Sequence, residues 1–183
     1  GGRKWDDFDG KRFLNLRRRR DAGFRELLKW LTHRDEGPWS EWREITPSVP
    51  PERVDGLRVT WVNHSTMVIQ VANVNILTDP IWSKRCSPVQ WVGPKRHHAP
   101  GIRFEDLPPI DAVVISHNHY DHMDAGTLRR LKRGRTFAGL GNAAFLEDAT
   151  DLDWWESAEL TKDVRVHCVP AQHFSSRGIT DRD

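Results

Sequence analysis

Cysteine is scarce in this sequence: Cys86 and Cys168 are the only two among 183 residues, far apart and outside any CxxC pattern. That excludes a disulfide framework and a thiolate zinc site, and it makes a reducing, cytoplasmic setting with two buried structural thiols the expectation. Long hydrophobic runs are absent too. No apolar stretch approaches the ~20 residues that a membrane-spanning helix needs, and no signal-peptide pattern is present, although a processing boundary at Gly1-Gly2 is left open. Neither sign of charge dominates, since 28 Lys and Arg face 26 Asp and Glu for a net charge of +2. The one local exception is Arg17-Arg18-Arg19-Arg20, a block able to meet anionic lipid or nucleic acid but more commonly a solvated basic face. Nothing in the pattern calls for a nucleic-acid partner.

Tryptophan is what the sequence has in excess, nine against a single tyrosine. Core packing is the expected role for most of them, and a lipid-facing rim is the alternative. With 37% hydrophobic and 30% charged residues, the chain is long enough for one domain with a core and a wet surface.

Residues 1–56 read as an N-terminal extension. Phe24, Leu27, Leu28 and Leu31 share one helical face, which predicts an amphipathic helix packed on its own domain. Pro38, Pro47, Pro50 and Pro51 then mark an extended connector. From residue 57 to 183 the pattern is that of a folded domain. Three short β-branched strands are predicted at 58–62, 66–71 and 75–78. A long Pro- and Gly-containing segment follows to about residue 107, then a buried strand at 111–116. A helix is expected at 127–132, stopped by Gly134, a second helix near 143–148, and a strand at 164–169.

The chemistry concentrates in His117-Asn118-His119-Tyr120-Asp121-His122, at the end of the buried strand. Two imidazoles two residues apart on an extended tip can chelate one metal, while Asp121 and His122 in the following turn reach a second. Neutral imidazole and carboxylate suit zinc, and also iron or manganese. Three histidines and an aspartate within this short stretch stand out against nine histidines in the whole chain.

The surrounding motifs include Thr60-Trp61-Val62-Asn63-His64-Ser65-Thr66, Leu77-Thr78-Asp79-Pro80-Ile81, Gly93-Pro94-Lys95-Arg96, Leu152-Asp153-Trp154-Trp155-Glu156 and Pro170-Ala171-Gln172-His173. With the histidine motif they resemble the metallo-β-lactamase superfamily. Within it they resemble the phospholipases D that hydrolyse N-acylphosphatidylethanolamine, together with their bacterial relatives. The resemblance runs from about residue 57 onward. It implies an α/β fold, the metallo-β-lactamase αββα sandwich, of which this chain supplies the first half and the start of the second.

It also implies two divalent metal ions, with zinc expected. His117, His119 and His173 would hold one, and Asp121 and His122 the other, the latter pair also being the implied catalytic residues. The implied reaction converts N-acylphosphatidylethanolamine to phosphatidic acid and an N-acylethanolamine through a metal-bridged hydroxide. His64 and Tyr120 are candidate substrate contacts, and Lys95 and Arg96 candidate head-group contacts. The family completes its site with an aspartate in a Gly-Asp-Thr context and a further histidine. Neither follows His173 here, so a missing C-terminal portion or a complementing chain is an expected partner. Peripheral membrane contact and a homodimer are further expectations. Hydrolysis of a lactone or another phosphoester, and a non-catalytic metal-binding fragment, are the alternatives.

Overall fold

A computed structural model describes residues 23–33, 42–146 and 148–178. The Arg17–Arg20 block, Trp39 and Pro38 lie outside the described residues. Helix α1 spans Phe24–Thr32, with the Glu26 carboxylate accepting the Gly23 N–H at its start. Leu28 and Trp30 on α1 are exposed, so Leu28 does not pack on the domain as its place in the apolar face predicts.

Among the described residues eight strands follow: β1 (Leu57–Asn63), β2 (Thr66–Val71), β3 (Val74–Thr78), β4 (Ile110–Ile115), β5 (Arg133–Gly139), β6 (Ala149–Leu152), β7 (Ser157–Glu159) and β8 (Arg165–His167). The first six form one sheet in sequence order. β1, β2 and β3 pair antiparallel, as tight turns allow, whereas β3 to β6 run parallel and need crossovers. Helix α2 (Ala125–Arg130) supplies the β4–β5 crossover. It begins where the Asp124 carboxylate accepts the Gly126 N–H at 3.0 Å, a side-chain cap on an otherwise unpaired helical donor.

Strand alternation sends apolar side chains to both faces of the sheet. On one face Val62, Val68, Leu77, Val113 and Ile115 pack with Met123, Leu128 and Leu131 from the α2 side. On the other, Ala112, Phe137 and Leu152 meet Ala158 and Val166 from the β7–β8 pair, the beginning of a second layer. Among the described residues that second layer does not extend over β1, where Leu57, Val59 and Trp61 stand exposed on alternate residues.

Several expectations need correction. Gly134 is no helix stop. It lies inside β5, where a Cβ would come within 2.1 Å of the Asp111 carbonyl oxygen. The helix predicted near 143–148 is a single 3-10 turn over Asn142–Phe145. The core role expected for tryptophan holds for Trp82, which packs against the main cluster. It fails for Trp30, Trp42, Trp61, Trp91 and Trp155, all of them exposed. Both cysteines are half-buried rather than fully enclosed.

Candidate metal centre

Strand β4 is buried along most of its length, and its parallel pairing on both sides fixes where it ends. Beyond that end the chain turns tightly. The His122 and Met123 N–H groups both donate to the His119 carbonyl, and Met123 is anchored in the core. The turn gathers imidazoles that sequence spacing alone only lists. His117 Nε2 lies 3.0 Å from His119 Nδ1. His173, delivered by the segment after β8, brings its Nε2 to 3.3 Å from the same atom. Phe174 stacks edge-on against the His119 ring at 4.8 Å and flanks this group.

A second group forms beside the first. His122 Nε2 lies 3.7 Å from Asp121 Oδ2. His64 Nε2 stands 3.0 Å from the same carboxylate oxygen and 3.3 Å from His122 Nε2. Each group offers three donor atoms within 4.8 Å of one another.

The protons can be traced. Ser116 Oγ has one hydrogen, and it donates to Asp79 Oδ2 at 2.7 Å. Its lone pairs therefore accept from His117 Nδ1–H at 2.9 Å. His122 Nδ1–H donates to Asp79 Oδ2 at 2.8 Å. In their neutral form both rings then take the tautomer whose Nε2 lone pair faces inward, the arrangement a metal-binding imidazole needs. Asp79 is the hub, buried at the end of β3, with its Oδ1 also accepting the Ser116 N–H at 2.7 Å. The motif Leu77-Thr78-Asp79-Pro80 signals it in the sequence, although Asp79 was not among the candidate site residues.

Electrostatics agree. Burial, together with the neighbouring His122, His119 and His173, pushes the His117 imidazole down from 6.5 to about 4. Burial also opposes charge on His122, but the hydrogen bond and charge of Asp79, with Asp121 beyond, outweigh it and hold that ring above its ordinary value. The donor set fits metal ions. Two donors on a tetrahedral ion bound at 2.0–2.2 Å stand about 3.3–3.6 Å apart, and the contacts within the two groups run from 3.0 to 3.7 Å.

Two expected contacts are placed elsewhere. Tyr120 turns toward the segment after His173, its hydroxyl donating to the Arg177 carbonyl at 2.9 Å and its ring under the Arg177 guanidinium. It ties that segment to the ligand turn instead of presenting a free hydroxyl to a substrate. Arg96 is half-buried and donates to the Ser83 carbonyl at 2.7 Å, so it holds its own loop; Lys95 is exposed.

Comparison with known proteins follows the same site. A family model described as the beta-lactamase superfamily domain matches residues 74–183. The chain belongs to the beta-lactamase superfamily. Within it, the chain is 41% identical over 145 residues to an uncharacterized protein of Mycobacterium tuberculosis, covering 74% of this chain and 39% of that one. It is 35% identical over 145 residues to the N-acyl-phosphatidylethanolamine-hydrolyzing phospholipase D 1 of Caenorhabditis elegans, covering 70% of this chain and 41% of that one. A metal-dependent hydrolase of Thermodesulfovibrio yellowstonii is 26% identical over 146 residues, with 73% and 51% covered. This superfamily chain thus spans about two fifths of the length of the first two relatives.

Proposed function

We propose that this chain forms the ligand-bearing part of a metal-dependent phosphodiesterase acting on N-acylated phosphatidylethanolamines. The observation that carries the reading is the pair of three-donor groups meeting at the β4 tip. Likeness to the nematode phospholipase, in an order that includes that tip, supports the substrate class.

His117, His119 and His173 would hold one divalent cation, and Asp121 with His122 a second, zinc being the expected metal. Bound there, such ions supply Lewis acidity toward a phosphoryl oxygen and lower the pKa of water toward ~7. Asp79 and Ser116 keep the His117 and His122 lone pairs aimed inward. Asp121, more than a third exposed at the mouth of the second group, orients the attacking water and accepts its proton. Water oxygen would then bond to phosphorus as the phosphorus–oxygen bond to the N-acylethanolamine portion breaks, and the proton held by Asp121 would pass to the departing alkoxide, giving phosphatidic acid and N-acylethanolamine. Trp61, exposed and donating to the His64 carbonyl at 3.2 Å, offers apolar surface to an acyl chain, and contact with a membrane surface follows from such a substrate. The remaining length of the relatives would complete the site.

The test is an assay of the zinc-loaded full-length protein on vesicles containing N-acylphosphatidylethanolamine, with products identified by mass spectrometry. Release of N-acylethanolamine, abolished in His119→Ala, is the expected result. Turnover of a sugar lactone with no phospholipid cleavage overturns the reading.

A further inference from the structure

We infer that Arg177 is a positioning residue for the metal centre: it locks the segment that carries His173 onto the ligand turn. The inference rests on the reading above that His117, His119 and His173 hold one cation, and it concerns what keeps His173 within reach of the other two.

His173 needs such a device. The other ligands sit at the tip of buried β4, whereas His173 stands beyond the end of β8, on an exposed stretch that is neither helix nor strand. Chain of that kind has many conformations open to it, and ordering it only when an ion binds would weaken binding by the entropy lost. Yet His173 Nε2 already lies 3.3 Å from His119 Nδ1, so the segment is held in place by other contacts.

Arg177 makes those contacts. Its Nη1 carries two hydrogens, and they reach two main-chain carbonyls, those of Asn118 and Met123, each at 2.8 Å. These carbonyls bracket His119, Asp121 and His122, so one guanidinium nitrogen spans both ends of the turn that presents them. The guanidinium carbon lies 4.3 Å from the Tyr120 ring centroid, a cation–π contact. Tyr120 returns the contact, its hydroxyl donating to the Arg177 carbonyl at 2.9 Å. Side chain and main chain of Arg177 are thus both fastened to the ligand turn. Lysine would supply the charge but neither the planar face nor the rigid fork. Anchored so soon after His173, the segment has little freedom to swing the imidazole away.

The experiment is a zinc titration of the full-length protein and of its Arg177→Met and Tyr120→Phe variants, followed by imidazole 15N resonances and chelator competition. Met keeps the side-chain bulk and loses both hydrogen bonds, while Phe keeps the stacked ring and loses only the hydroxyl. In the wild type the His173 Nε2 resonance is expected to move in step with the His117 and His119 resonances. In Arg177→Met it should lag behind them, with that ion bound about tenfold more weakly, the low end of what losing a supporting partner costs a metal site. Tyr120→Phe should show the same lag to a smaller degree. The double variant should lose less affinity than the two single losses combined, as expected of residues in one contact.

A His173 resonance that still moves in step in Arg177→Met overturns the inference, even if affinity falls, because the loss would then be general destabilisation. Should Arg177→Met fail to fold, Tyr120→Phe decides: unchanged affinity with His173 in step overturns the inference. Wild-type protein in which zinc leaves all three resonances unmoved overturns it together with the metal reading. Zinc uptake with the His173 lag in Arg177→Met, but no phospholipid cleavage by the wild type, supports this inference and overturns only the substrate assignment.

Discussion

Asp79 meets neither proposed substrate nor metal, yet one of its carboxylate oxygens sets the tautomers of both His117, through Ser116, and His122. Asp79→Asn keeps the shape and removes the charge, so His122 and Ser116 lose a charged acceptor. Zinc affinity, measured by chelator competition, is expected to fall about 10–100-fold, with little change in circular dichroism. Unchanged affinity would remove Asp79 from the positioning role. Arg53 and Asp111 make a different residue-scale link. The guanidinium bridges both carboxylate oxygens, and the Asn75 N–H adds a third bond to Asp111 at 2.7 Å. Burial raises the Asp111 carboxyl, but these partners outweigh it and hold it below its ordinary 3.8. Unfolded protein therefore binds the proton first as pH falls. The stabilisation is fully present above pH 3.8 and is lost as pH drops through the lower folded value. Because each side chain is 34% exposed, Arg53→Met is expected to cost only about 1 kcal/mol at neutral pH. Urea unfolding of the two proteins should converge at acidic pH.

Among the elements, β5, β6 and β7 were not anticipated, and β5 shows the reason most plainly. Its opening, Arg133-Gly134-Arg135, is polar and contains the residue that best fits a helix stop, so local signals point to a loop. The structure shows why glycine stands there. β5 passes so close to the start of β4 that any side chain would strike the Asp111 carbonyl. Gly134→Ala must separate the two strands and should destabilise by about 1–3 kcal/mol, read as a lower urea midpoint with an unchanged slope. No loss of stability would mean that the strands part freely. By contrast β2 was predicted to its last residue, because its side chains alternate between buried and half-buried positions.

At the scale of the molecule, the proposed metal ions would tie the β4 tip to the segment after β8, which sequence separates widely. Ligands that bind only the folded state stabilise it by mass action, about 2.7 kcal/mol at a free concentration one hundred times Kd. Zinc should therefore raise the thermal midpoint, and EDTA should reverse the shift. A midpoint indifferent to both would argue against a bridging role. The same scale exposes a sheet face: β1 pairs Leu57 with Val71, Val59 with Ile69 and Trp61 with Met67, yet Leu57, Val59 and Trp61 remain open.

His117, His119, Asp121 and His122 were legible in the sequence because one short turn carries them all, and His173 because its Pro-Ala-Gln-His setting resembles a family motif. Alternation and burial likewise marked β1 to β4, since strand periodicity is a local property. Only the tertiary structure decided which donors meet. His64 and Asp79 reach the β4 tip from other strands, and their contacts depend on sheet register, which no local pattern encodes. Tyr120 went the other way: a candidate substrate contact by sequence, it donates to the Arg177 carbonyl and lies under the Arg177 guanidinium in space. The tryptophans followed neither rule. Composition says that such side chains favour burial, but whether Trp61 or Trp155 is covered depends on what packs over its face, and that is settled by how the layers stack.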